Sequence, residues 1–333
     1  MSPAQTTIGV EFADPQLEAS VRAGLDAVEA TLRTAVRSDD QFIAEAARYL
    51  VDAGGKRFRP LMTVLAAHFG DASAPHIVPA AVVVELTHLA TLYHDDVMDE
   101  ASVRRGAESA NARWDNTIAI LTGDFLFARA SDLLADLGPA AVRLQARTFE
   151  RLVTGQIRET VGPAEGEDPI THYLGVLAEK TGSLIATAAE FGAGFAGVEP
   201  STVDVLRRFG EQIGVAFQIS DDILDIAAEP SESGKTPGTD LREGVATLPV
   251  LYALRSSDAA SRRLRELVSH PLVDDAEHAE ALALLRASSA LDDARRTLHS
   301  YADKARAMLI DLPDVPARAG FEALTDRVIE RTG

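Results

Sequence analysis

Two acidic clusters with the same spacing lie more than a hundred residues apart: Asp95-Asp96-Val97-Met98-Asp99 and Asp221-Asp222-Ile223-Leu224-Asp225. Each places aspartate at its first, second and fifth positions, and each follows an apolar stretch, LATLYH in one case and VAFQIS in the other. On a helix the first and fifth residues share a face, so Asp95 stacks with Asp99 and Asp221 with Asp225. Carboxylates crowded beside apolar surroundings are costly unless something compensates their charge. A divalent cation is the simplest compensation. An all-oxygen donor set favours a hard ion such as Mg²⁺, which commonly keeps substrate phosphate among its ligands. Asp39-Asp40, Asp274-Asp275 and Asp292-Asp293 serve as internal contrasts, because none has aspartate at the fifth position and their neighbours are largely polar. They read as ordinary solvated helix faces.

Cations that could meet a phosphate are concentrated in a few places. Gly54-Gly55-Lys56-Arg57-Phe58-Arg59-Pro60 combines glycines that permit close backbone approach with a point charge at Lys56 and a planar fork at Arg59. The same segment also reads as a helix end followed by a turn. Arg104-Arg105 follows the first cluster directly, and His88 lies seven residues before Asp95 on roughly the same helix face. By residue type alone, His88, Lys180, Thr181 and Gln218 read equally well as satisfied core residues. Lys235 sits in the glycine-containing stretch EPSESGKTPGT, where a phosphate contact and an ordinary surface lysine are both open readings.

The elements that must carry these residues are helices. Apolar residues recur at three- and four-residue spacing over Leu17–Val36, Gln41–Val51, Arg59–Phe69, Pro75–Asp99, Ala112–Leu137, Pro139–Thr160, Pro169–Phe195, Ser201–Ile226 and Leu241–Leu254. The pattern continues over Asp275–Leu309, with a break inside it, and Ala317–Glu330. No alternating strand pattern is evident. Each aspartate cluster ends a long apolar helix and precedes a loop with basic residues. The expectation is one all-α domain over residues 1–333, a large helical bundle with two acid-bearing helices facing a central cavity. The first fifteen residues read as a flexible segment.

Composition narrows the function further. The chain has 333 residues, 46% hydrophobic, with a net charge of −19 and 5% aromatics. Such a chain repels nucleic acid and offers few stacking platforms. There is no cysteine, so disulfides, thiolate nucleophiles and Cys-ligated zinc are excluded. The start of the sequence lacks a basic region followed by an apolar run, so no signal peptide is expected, and a cytoplasmic location is. The most apolar stretch, Ile77 to Tyr93, carries Glu85 and His88 and argues against a membrane span.

Taken in order, GGKRFRP, LTHLATLYHDDVMDEASVRRG, the Gly123-Asp124 pair, EKTGSLI, FQISDDILD and GKTPGTDLREG resemble the trans-type polyprenyl diphosphate synthases. The resemblance runs from about Gly54 to Pro249 and implies the isoprenoid synthase fold. It also implies a reaction in which a metal-assisted allylic diphosphate ionises and alkylates isopentenyl diphosphate, lengthening the chain stepwise. Asp95 and Asp99 match the family's Mg²⁺ ligands, with Asp96 supporting. Asp221 matches the ligand of a third ion, with Asp222 and Asp225 acting nearby. Lys56, Arg59, His88 and Arg105 match the residues that hold isopentenyl diphosphate. Arg104, Lys180 and Lys235 match those that hold the allylic diphosphate, and Thr181 and Gln218 match groups that shield the developing cation. Farnesyl or geranylgeranyl diphosphate is the implied primer and a homodimer the implied assembly, with transient membrane contact for product release.

One position departs from the pattern: Val245 stands where many members carry a second lysine. The residues one turn before Asp95 are Ala90 and Thr91, both small, where short-chain members resemble one another in carrying bulky aromatics. A long product, heptaprenyl to decaprenyl, is therefore expected, with the tunnel floor near Phe127 or Leu134. Terpene cyclases and head-to-head condensing enzymes share acidic motifs of this kind but do not need the GGKRFRP segment. A non-catalytic partner subunit would typically lose the aspartate clusters, which are intact here.

Overall fold

The computed structural model describes residues 9–227, 237–255 and 259–332. Among them the architecture is all-α, as expected, apart from one minimal hairpin. The chain divides into two compact units. The first comprises residues up to Glu150 together with Ser183–Gly210 and Met308–Leu324, and the second comprises Arg151–Gly182, Glu211–Ala307 and Thr325–Gly333.

In the first unit, helix α4 (Ile77–Met98) is the central element. It packs against α1 (Pro15–Ala35), α3 (Phe58–Ala67), α6 (Asn116–Leu137) and α9 (Ser183–Phe195). By length and composition α4 could cross a membrane, but its run from Ala80 to Thr87 is buried without interruption, as suits a core helix. Helix α2 (Gln41–Asp52) is tied to α4 through Tyr93, whose hydroxyl donates to Ala46 O at 2.5 Å and accepts from Leu50 N at 3.3 Å. Helix α9 lies very close to α3, because a Cβ at Gly192 would fall 2.0 Å from Thr63 O.

Helix starts follow side-chain capping. Asp14, Asp40, Asp115, Asp168 and Asp274 each accept backbone N–H groups of the first turn that follows. The contrast pairs fall into place here. Asp40 and Asp274 are caps, and Asp292 and Asp293 lie in the first turn of a helix, beside Arg295 and Arg296.

Several expected helices are subdivided. Ala112–Leu137 begins as one turn, α5 (Ala110–Arg113), and restarts at α6, where Asp115 adopts an extended conformation and caps Ile118 N at 2.8 Å. Pro169–Phe195 is α8 (Pro169–Leu177), a π-helical turn (Ala178–Gly182) and α9. Leu241–Leu254 is α11 (Thr239–Glu243), stopped by Gly244 at φ 79°, and α12 (Leu248–Arg255). Helix α13 (Ala259–Leu267) was not expected, because its sequence is rich in arginine and its buried stripe, Ser261, Leu264 and Leu267 among the described residues, is narrow and partly polar. The break in Asp275–Leu309 is present, giving α14 (Asp275–Ala287) and α15 (Ala290–Leu309) before the last helix, α16 (Pro316–Glu330). Within the second unit α12 packs on α8 and on α13 and α14.

Candidate functional site

The first aspartate cluster closes α4. Asp99 is the C-cap residue, and its N–H donates to Asp95 O at 2.8 Å, which keeps the two residues one turn apart. A helix C-terminus carries partial negative charge, so carboxylates here are at the unfavourable end, unlike the capping aspartates elsewhere. Asp96 is buried, and its Oδ1 accepts from Arg104 Nε at 2.6 Å while its Oδ2 has no hydrogen-bond partner among the described residues. Arg104 Nη2 also lies 3.9 Å from Asp99 Oδ2. Burial opposes charge on Arg104, but Asp96, Asp95 and Asp99 together raise its pKa above the ordinary value.

Arg104 is placed by the hairpin β1 (Val103–Arg104) and β2 (Ala107–Glu108), joined by Arg105 and Gly106 at φ 54° and 76°. Two successive positive φ angles define the tight turn whose twist suits a hairpin. Two-residue strands are too short for an alternating pattern, which is why the sequence does not announce them. From that turn Arg105 reaches back to the end of α2, donating Nη1 to Leu50 O at 2.8 Å and to Gly54 O. His88 sits among these cations. Its pKa lies well below the usual value, first because of burial and then through the charges of Arg59, Arg105, Arg57 and Arg104. Lys56 is exposed and Arg59 half-buried. The first unit therefore brings Arg59, His88, Arg104 and Arg105 together beside Asp95–Asp99. A neutral imidazole ringed by guanidinium groups is an environment built for an anion.

Upstream on the same helix, Ala90 is buried and Thr91 half-buried, its hydroxyl donating to His88 O at 2.8 Å. Gly123 gives the Gly-Asp pair a packing role: a Cβ there would fall 2.4 Å from His94 Nε2 and 3.0 Å from Ala90 O, so a larger residue would displace the His94 ring and press on the α4 backbone. Asp124 then lies 3.4 Å from His94. The Phe127 ring stands 5.8 Å from His94 and 4.6 Å from Phe149, and Leu134 is buried.

The second cluster lies in the last two turns of α10 (Pro200–Ala227). Asp222 is buried, accepting from Tyr173 Oη at 2.5 Å and Gln218 Nε2 at 3.2 Å. Burial pushes its pKa up to about 7, and Asp221 and Asp225 add to the rise, against the two hydrogen bonds. Gln218 Oε1 accepts from Thr181 Oγ1 at 3.4 Å. Thr181 and Lys180 belong to the π-helical turn, a feature often found where a helix is bent to present functional side chains. Lys180 Nζ is 2.6 Å from Glu159 Oε2. Asp225 takes the N–H groups of Thr239 (3.1 Å) and Asp240 (3.3 Å), and its carbonyl accepts from Gly238 at 2.7 Å. Burial and the neighbouring Asp225 and Asp222 hold the Asp240 carboxyl well above the usual range. Arg331 pairs with Asp221 and lies 4.9 Å from the Phe217 ring centre. Val245 makes a backbone bond to Asp240 O at 2.8 Å and supplies no cation. Lys235 lies outside the described residues.

Among the described residues no three His, Asp or Glu side chains converge into a ready-made metal cage. The donor chemistry still fits a hard divalent ion: two carboxylates on one helix face at each cluster, at the helix end that repels them, with other ligands left to come from substrate oxygens. Arg57, Glu29 and Glu85 around the Gly54–Arg59 loop went unassigned in the sequence, as did Tyr173, Glu159, Asp240 and Arg331 around the second cluster. Glu85 alone carried a signal, a charge inside the most apolar stretch of the chain. The others are brought in by tertiary packing.

Residues 40–285 match the family of polyprenyl synthetases. The nonaprenyl diphosphate synthase of Mycobacterium tuberculosis is 53% identical over 335 residues, covering 100% of this chain and 99% of that one. The dimethylallyltranstransferase of the same organism is 43% identical over 96% of this chain and 98% of its own. Among solved structures, geranylgeranyl pyrophosphate synthase from Corynebacterium glutamicum, complexed with calcium and isoprenyl diphosphate, superposes with a TM-score of 0.85. It shares 48% identity, over 97% of this chain and 100% of that one.

Proposed function

This chain belongs to the polyprenyl synthetase family, and from that premise we propose that it is a prenyltransferase. It joins an allylic diphosphate to successive isopentenyl diphosphates, head to tail and in trans geometry, to give a long-chain polyprenyl diphosphate. The observation that carries this reading is His88, held neutral among Arg57, Arg59, Arg104 and Arg105 beside Asp95–Asp99. A cyclase acts on one diphosphate and has no need of such a second anion site, and a head-to-head enzyme, which joins two allylic diphosphates, has no need of the isopentenyl-binding GGKRFRP segment.

In this reading Lys56, Arg59, His88 and Arg105 hold the isopentenyl diphosphate, and Arg104, Lys180 and Lys235 hold the allylic one. Asp95, Asp99 and Asp221 are the residues that would hold divalent metal, Mg²⁺ being the ion their oxygens suit best, with three ions at full loading. Bound metal supplies charge neutralisation to the departing diphosphate. Asp96 orients Arg104, and Asp222 orients Gln218. Gln218 and Thr181 face the developing carbocation with oxygen dipoles. The allylic carbon–oxygen bond breaks, a carbon–carbon bond forms to the isopentenyl double bond, and a proton leaves. Geometry around Ala90 supports a long product, heptaprenyl to decaprenyl, since small side chains at 90 and 91 leave room where the tail would run. We further read the protein as a cytoplasmic homodimer, in which a second copy would cover Ile120 and Leu121, both exposed on α6.

The test is incubation of labelled isopentenyl diphosphate with farnesyl or geranylgeranyl diphosphate and Mg²⁺. Butanol-extractable long-chain product is expected, falling at least ~10³-fold on chelation; no product would refute the reading. Ala90→Phe with Thr91→Phe should shorten the product on chromatography.

A further inference from the structure

Between Lys56 and Arg59 the loop carries a third cation whose side chain turns the other way. Arg57 has 3% of its side chain exposed and adopts a left-handed conformation, φ 48° and ψ 34°, directly before α3. Every N–H of its guanidinium group has an acceptor. Nε donates to Glu29 Oε1; Nη1 to Glu85 Oε1 at 2.8 Å and Gly54 O at 3.2 Å; Nη2 to Val51 O at 3.0 Å and Glu29 Oε2 at 3.4 Å. The partners come from α1, from α4, from the end of α2 and from the loop itself. Arg105, also left-handed at φ 54°, donates to the same Gly54 carbonyl. Its guanidinium packs where a Cβ on Gly55 would lie, 2.9 Å from Arg105 Cζ.

Two guanidinium groups and two carboxylates make this set neutral. Buried ion sets of this kind add little net stability over apolar packing, yet they fix the relative placement of the elements they join. The backbone does not ask for arginine here. A left-handed residue is easiest as glycine, and a side chain at this conformation is disfavoured. What accounts for arginine is the set of acceptors, and lysine cannot reproduce that planar fork.

We propose that Arg57 is a positioning residue for isopentenyl diphosphate: with Glu29, Glu85 and Arg105 it fixes the turn that carries Lys56 and the start of α3 that carries Arg59. This rests on the reading of Lys56 and Arg59 as ligands of that substrate. The clamp works on one substrate's binding geometry and leaves the other substrate's affinity alone.

Steady-state kinetics on the full chain separate this role from a merely structural one. Arg57→Gly preserves the left-handed turn and removes the clamp. It should raise KM for isopentenyl diphosphate ~10-fold or more while KM for the allylic diphosphate stays within ~2-fold. Arg57→Lys should fall between Arg57→Gly and the wild type. An unchanged isopentenyl KM in Arg57→Gly, or equal rises in both KM values, overturns the proposal. Should Arg57→Gly not fold, Glu29→Gln removes one partner's charge at constant size and should raise the same KM ~3-fold; no rise there is equally fatal. Lys56→Ala is the reference. If the wild type elongates but Lys56→Ala keeps its isopentenyl KM, the substrate assignment fails and the proposal falls with it. If Lys56→Ala raises KM and Arg57→Gly does not, positioning alone is refuted.

Discussion

At Asp95–Asp99 the neighbouring charges are arginines; at Asp221–Asp225 they are mostly other carboxylates. The middle residues make the difference concrete. Asp96 accepts from a guanidinium at 2.6 Å, and Asp222 accepts from a phenol at 2.5 Å and an amide at 3.2 Å. Asp240 adds a half-buried carboxyl to the second region, where Arg331 meets Asp221. The same five-residue spacing thus sits in two electrostatic settings. The first region carries its own counter-charge and suits an anion directly. Among the described residues the second gathers more carboxylates than cations, a setting that suits metal there.

Proton linkage offers the strongest way to break this comparison. The folded-state pKa of Asp222, about 7, lies above the unfolded carboxyl value of ~3.9. The unfolded chain therefore releases this proton first. Its contribution to stability is fully present below pH ~4 and is lost as pH rises through 7, by up to about 4 kcal/mol for a shift of this size. Asp240 acts in the same direction. Metal-free protein should show a Tm that falls from about pH 5 to pH 7 and levels off above, Asp222→Asn should shrink the fall, and Mg²⁺ with diphosphate should oppose it. A flat Tm profile across that range would mean the second region is better compensated than its neighbours suggest.

Next in size is the pair of middle aspartates. Asp96→Asn weakens a charge-assisted bond to Arg104, whose side chain is 27% exposed, so partial screening limits the cost to about 1–2 kcal/mol. Asp222→Asn keeps an acceptor for Tyr173 and removes a charge that burial opposes. At pH 8, without metal, it should be neutral or stabilising. Urea unfolding of both variants checks this, and equal losses would erase the distinction between the two settings.

How far the sequence reveals these settings depends on distance along the chain. The aspartate spacings, the apolar helices that carry them and the cations at 56, 59, 104 and 105 are local, and they read directly as an all-α chain with a candidate metal and phosphate site; the prenyl-transfer chemistry is what the family resemblance of the motifs adds. The contrast pairs read in the sequence only as solvated helix faces; the capping use of Asp40 and Asp274 depends on where each helix starts, which the spacing alone does not fix. Tyr173 and Arg331 stand 49 and 110 residues from the carboxylates they meet, and no periodicity links them. The π-helical turn at Ala178–Gly182 was hidden because one extra residue inside an apolar helix leaves the hydrophobic pattern almost intact. Arg57 gives no separate signal, for a different reason. It sits inside a motif whose other cations already explained the motif.

Arg331 gives the finest test. Its guanidinium stands on Asp221, with 10% of its side chain exposed, and lies beside the face of Phe217. A cation on a carboxylate that would hold metal must be displaced, or share the carboxylate, when metal binds. Arg331→Ala should then tighten divalent-metal binding in the absence of substrate by ~3- to 10-fold, about 1 kcal/mol for a partly exposed pair. Mn²⁺ titration followed by electron paramagnetic resonance reads this directly, with Asp221→Asn as the control that removes the site. Weaker binding in Arg331→Ala would reverse the assignment, because the arginine would then be holding Asp221 in a metal-ready orientation. The acid-rich region would in that case depend on its own cation as the first region depends on Arg104.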